Sequence, residues 1–117
     1  MSVRHAINYI EIPVKDVALS KAFFANACGW EFIDYGPDYA AISNAGIDGG
    51  LYKADTVATV NNGSVLVVLY SDNLEASEAH IIKCGGEIVN AIFSFPGGRR
   101  FHFKDPNGNE YAIWSDK

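Results

Sequence analysis

The chain is written twice. Cys28-Gly29 recurs as Cys84-Gly85, 56 residues later (84 − 28), while Gly46, Asp48 and Gly50 recur as Gly108, Glu110 and Ala112, each 62 residues later (108 − 46). A repeat of this length is one supersecondary unit used twice, and it limits the folds available more than any composition can. In the first copy, "INYIEIPV" alternates with period two, Ile7, Tyr9 and Glu11 on one face and Asn8, Ile10 and Ile12 on the other, as a strand does. Asp16 then caps a helix "VALSKAFFANAC", with Leu19, Phe23 and Ala27 as its apolar stripe and Gly29 as its stop. "WEFIDY", "YAAISN" and "IDGGLYK" follow as short strands between turn residues. After a polar connector, "ADTVATVNNG", the order restarts: strand "SVLVVLYS", helix "NLEASEAHIIKC" with Asp72 and Glu75 placed as a capping box, a Gly85-Gly86 stop, then "EIVNAIFSF", "RRFHFK" and "NEYAIWS".

The expected fold class is therefore α+β, with tandem βαβββ modules at residues 4–53 and 64–116, a linker at 54–63, and a single domain over 1–117. Two curved mixed sheets pair around a shared cleft, with the helices on the outer faces, and that cleft is where function is expected.

Composition fits a packed domain: 49% hydrophobic and 20% charged residues. The net charge of −5 argues against a nucleic-acid partner, since only Arg99, Arg100 and Lys104 cluster among the cations. No apolar run reaches the roughly 20 residues that a membrane span needs, nor does the N-terminus read as a leader, so the expected place is the cytoplasm. Cys28 and Cys84 form no CxxC and read as buried, reduced thiols.

The stretches "NYIEIPVKDVALSKAFFANACGWEF", "GPDYAAIS" and "FHFKDPNGNEYAIW" give the chain a resemblance to the vicinal-oxygen-chelate superfamily of glyoxalases, bleomycin-resistance proteins and extradiol dioxygenases, over about residues 4–116. The resemblance implies a homodimer and, in metal-dependent members, an ion held by side chains of the first and last strand of each module. At those positions this sequence has Tyr9, Gly50, Leu66 and Ala112. Gly, Leu and Ala offer no donor atom, so no cofactor and no metal are expected at that centre.

Strand alternation then extends the cleft wall. If Tyr9 and Ala112 face the cleft, so do Glu11, Glu110 and Trp114. In "RRFHFK", Phe101 and Phe103 go under the helix, which leaves Arg100 and His102 on the cleft side. The candidate ligand-binding set is thus Tyr9, Glu11, Arg100, His102, Glu110 and Trp114, where Arg forks onto an anion and the flat rings stack on an apolar one. The alternative is a structural network in which Arg100, Glu110 and Glu11 pair with one another across strands. His102 and Glu110 are the candidates for acid–base catalysis, although a hydrogen-bonded structural histidine explains the same residue. Tyr39 matches Phe101 at the repeat offset and reads as core, and Asp105-Pro106-Asn107-Gly108 reads as a turn.

Two functions compete. One is a metal-independent binding protein for a polar aromatic or anionic small molecule. The other is a lyase, isomerase or dioxygenase, using either a non-standard metal site of Glu11, His102 and Glu110 or proton transfer by His102.

Overall fold

The computed structural model describes residues 3–117. The order is β1 (Tyr9–Val14), α1 (Val17–Cys28), β2 (Glu31–Asp34), β3 (Tyr39–Ser43), β4 (Asp48–Lys53), β5 (Val67–Tyr70), α2 (Leu74–Lys83), β6 (Glu87–Phe95), β7 (Gly98–Lys104) and β8 (Glu110–Ser115). This is the α+β fold of two βαβββ modules, each with its own four-stranded mixed sheet. The chain forms two compact units that divide after Thr56.

In the first unit the strand order is β1-β4-β3-β2, with β1 parallel to β4 and the other pairs antiparallel. Ile12 and Val14 of β1, Ala40 and Ile42 of β3 and Leu51 of β4 fill one face under α1, where Phe24 stacks on Trp30 with centroids 4.3 Å apart. Helix α1 has the expected ends: the Asp16 carboxylate accepts from the Leu19 amide, and Gly29 adopts φ 71°. Its buried stripe differs from expectation. Val17, Ser20, Phe23 and Phe24 face the sheet, whereas Leu19 is 42% exposed. A spacing of three and four residues, 17, 20 and 24, tracks the 3.6-residue turn better than a strict four-residue row does.

In the second unit the order is β5-β8-β7-β6, again with one parallel pair, β5 and β8. Phe101 and Phe103 of β7 are fully buried with Tyr111 and Ile113 of β8 and with Leu74 and Ile81 of α2. Asn73 rather than Asp72 caps α2, its side chain accepting from the Ala76 amide, and Glu75 instead binds Arg99 through two hydrogen bonds. The expected capping box is off by one residue: Asn73, with an extended backbone, directly precedes Leu74, the first residue of the helix.

The turn before β8 is built as read: the Asp105 carboxylate accepts from the Asn107 and Asn109 amides, both at 3.0 Å, and Gly108 has φ 87°. The segment expected as an exposed connector is partly tied down. The Ala58 amide donates to Asn109 Oδ1, and the Glu110 amide donates to the Ala58 carbonyl. Cys28 and Cys84 are not in disulfides, and both are half-buried rather than fully buried. Among the described residues no helix is long and apolar enough to cross a membrane.

Candidate functional site

Each sheet has one face under its helix and one away from it. Pairing fixes which side chains share the second kind, because residues directly opposite in a ladder point the same way. In the second unit Arg100 pairs with Trp114, His102 with Ala112, and Lys104 with Glu110. Arg100, His102, Glu110 and Trp114 therefore stand on one face, away from Phe101 and Phe103, as alternation predicts.

The aromatic surround is larger than alternation suggests. On β6, Phe93 pairs with Arg100 and Asn90 with His102, and on β5 Tyr70 pairs with Trp114. The Arg100 guanidinium lies over the Phe93 and Phe95 rings, 5.3 and 5.6 Å from their centroids. Tyr70 meets Trp114 edge-on at 5.3 Å. Phe93 and Phe95 escape the sequence reading because β6 carries two register shifts, between Ile88 and Asn90 and between Asn90 and Phe93. A bulge breaks the count of two on which alternation depends. Tyr70 keeps period two and was findable from its own strand.

His102 is 5% exposed, and its Nδ1 lies 2.8 Å from Glu110 Oε2. The other oxygen of Glu110 accepts from the Val60 amide at 3.0 Å. Burial works to raise the Glu110 pKa, but the His102 and Val60 hydrogen bonds outweigh it and hold the carboxyl below its ordinary 4.5. A carboxylate only accepts, so Nδ1 carries the ring proton. Two buried polar atoms on this face have no hydrogen-bond partner among the described residues: His102 Nε2 and Arg100 Nε. Within the second unit, Arg100 and Glu110 do not pair across their strands. Arg100 rests on phenylalanine rings, Glu110 binds His102, and Glu11 accepts from Tyr39.

In the first unit, Tyr9 and Glu11 share the face away from α1 with Asp48, Gly50 and Tyr52 of β4 and Tyr39 of β3. Tyr39 is not core. Its hydroxyl bonds the Tyr9 hydroxyl and donates to Glu11 Oε2 at 3.0 Å. The bond with Tyr9, burial and the bond with Glu11, in that order, push the Tyr39 phenol well above its ordinary range. Phe101, 62 residues on, is fully buried on the helix side, whereas in the ladders Tyr39 opposite Tyr52 corresponds to Arg100 opposite Trp114, so the offset of 62 slips by one residue on this strand and the expectation of a core Tyr39 falls with it.

The residues do not fit the metal centre that the fold implies. Gly50 has no donor, and a Cβ built on it would collide with the Tyr39 hydroxyl, so the space of a ligating side chain is taken. Ala112 and Leu66 are apolar. In the second unit both Glu110 oxygens are engaged, and among the described residues no group of three or more His, Cys, Asp or Glu is placed to hold an ion.

A family model described as the Glyoxalase/Bleomycin resistance protein/Dioxygenase superfamily matches residues 6–113. No curated protein matches. Among solved structures, a glyoxalase/bleomycin resistance protein/dioxygenase family enzyme from Burkholderia phytofirmans PsJN is similar at TM-score 0.77 and 14% identity, over 94% of this chain and 98% of that one. A genomically encoded fosfomycin resistance protein from Listeria monocytogenes, complexed with Mn(II) and 1S,2S-dihydroxypropylphosphonic acid, gives TM-score 0.78 and 19% identity over 96% and 90%. Lactoylglutathione lyase from Agrobacterium tumefaciens gives 0.73 and 15% over 97% and 96%. At these identities the likeness is one of fold.

Proposed function

From its membership of the glyoxalase/bleomycin resistance protein/dioxygenase superfamily, we propose that this chain is a metal-independent small-molecule-binding protein that takes an anionic, ring-bearing compound on the open face of its second sheet. The observation that carries this reading is Arg100: a cation laid over Phe93 and Phe95, opposite Trp114, with its Nε unpartnered. Such a cation recognises a carboxylate or phosphate through parallel N–H bonds, while the rings cover an apolar ring. Lactoylglutathione lyase and the fosfomycin resistance protein share the fold and act on or bind small oxygen-bearing molecules by their names, which supports a small ligand here.

A second reading is favoured by His102. Its Nδ1 proton is fixed by Glu110, and in the neutral ring Nε2 offers a buried lone pair. That is the arrangement of a base oriented by a carboxylate, suited to proton transfer with no metal.

One experiment addresses both. Benzoate and a panel of phenyl phosphates and aryl carboxylates are titrated by calorimetry, and each mixture is checked for conversion by NMR. Arg100→Ala is expected to weaken benzoate binding about tenfold or more, the loss of a charged hydrogen bond, and Trp114→Ala to weaken it less. Parent-like binding by both variants would falsify the binding proposal. Conversion of any compound that vanishes in His102→Gln would establish the second reading, and conversion unchanged by that substitution would sink it.

The same proposal keeps the protein in the cytoplasm, where two cysteines outside any disulfide stay reduced, and as a homodimer. In support of a dimer, each sheet has two edge strands, β1 and β2 in one and β5 and β6 in the other, and such edges favour being covered.

A further inference from the structure

The open face of the first sheet is chemically the reverse of Arg100 and its rings. Pairing assigns it the carboxylates Glu11, Glu31 and Asp48, and none of the strand residues assigned to it is Lys or Arg. Tyr9, Tyr39 and Tyr52 stand there as well, and Tyr35, next to Tyr39 with centroids 6.3 Å apart, extends the row.

The hydrogen bonds have a direction. Tyr39 has one hydroxyl proton and gives it to Glu11 Oε2. Its bond with Tyr9 must then use the Tyr9 proton, because each phenol has only one. The chain therefore runs from Tyr9 to Tyr39 to Glu11, and the outermost oxygen, on a residue 45% exposed, offers lone pairs only. Glu11 Oε1 has no hydrogen-bond partner among the described contacts and adds a second, charged acceptor. Gly50 makes the chain possible, since any side chain there would displace the Tyr39 hydroxyl.

We propose that this tyrosine-lined face, with the Tyr9 and Glu11 oxygens as its acceptors, is a binding site for an organic ammonium group, the N–H donors going to Tyr9 and Glu11 and the positive charge to the faces of the tyrosine rings. An ammonium supplies what the face lacks: donors for two outward acceptors, a charge opposite to its carboxylates, and a cation for the negative faces of its rings. A carboxylate or phosphate would meet like charge there, and the Tyr9–Tyr39–Glu11 chain would offer it no donor. Tyr9 and Gly50, two of the positions where the resemblance implies metal ligands, both belong to this arrangement, which offers acceptor oxygens to a ligand cation.

The test is a two-dimensional amide NMR titration of the full chain with benzylammonium chloride, referenced to sodium chloride at equal ionic strength so that screening cancels. Saturable shifts are expected at β1 and β4 amides around Glu11 and Gly50. Tyr9→Phe and Glu11→Gln, both at exposed positions, are each expected to weaken binding about tenfold. Tetramethylammonium, which has no N–H, is expected to bind weaker than benzylammonium by a similar factor. Absence of saturable shifts, parent-like binding by both variants, or equal binding of the two ammonium ions would overturn the proposal. Its readouts, at Tyr9 and Glu11, are separate from the benzoate readouts at Arg100 and Trp114, so either proposal can fail alone.

Discussion

Glu110 is held between a ring N–H and a backbone N–H, and this makes it a residue whose protonation is felt by the fold. Its carboxyl stays ionised below the ordinary 4.5 despite burial. The folded state therefore binds fewer protons than the unfolded one just below that value. The stabilisation is complete above pH 4.5 and is lost as pH falls through the lower folded pKa. In Glu110→Gln, the melting temperature is expected to fall less steeply between pH 5 and pH 3 than in the parent, at a cost of about 1–2 kcal/mol near neutrality. Parallel acid melting curves for the two proteins would refute it. At this scale alternation placed Arg100, His102, Glu110 and Trp114 on one face from the sequence alone. The partnerships were another matter: that His102 reaches Glu110 depends on a register set by the whole ladder, and that Tyr39 reaches Glu11 depends on the missing side chain of Gly50 on β4, the strand that lies between β3 and β1 in the sheet.

Among the elements, helices and their stops were the most legible, because capping chemistry is local. The α1 span coincides with the expected one, from Val17 to Cys28. The start of α2 does not, and the difference is measurable. Asn73→Ala is expected to lower stability by about 1 kcal/mol in chemical denaturation, as loss of a helix cap does, whereas Asp72→Ala should change it by only a few tenths. Equal effects would mean that Asp72 shares the cap. Strand β6 shows where local reading stops. Its two register shifts against β7 put Phe93 and Phe95 on the face of Arg100 without any mark in "EIVNAIFSF" that distinguishes them from core. The segment before β5 behaves similarly: it looks polar and free, yet Ala58 and Val60 bond to Asn109 and Glu110 and help to hold the candidate site.

For the whole molecule, the proposed homodimer and the proposed independence from metal meet in one measurement. A native mass spectrum is expected to show twice the chain mass with no added metal, and a monomer or a stoichiometric metal adduct would reject the corresponding part. The internal repeat, the alternation of the strands and the cap and stop residues determined by themselves that this chain makes two βαβββ modules of the superfamily fold, since these signals act over a few residues or recur along the chain. They also showed that three of the four positions where the resemblance implies ligands, Gly50, Leu66 and Ala112, carry no donor side chain, because a missing side chain is visible in a sequence. Only the tertiary structure decided which polar groups are satisfied: Glu110 by His102 and Val60, Tyr39 by Tyr9 and Glu11, and His102 Nε2 and Arg100 Nε by nothing described. Hydrogen bonds between residues far apart in sequence depend on ladder register, bulges and the space beside a glycine, quantities that exist only once the strands are side by side.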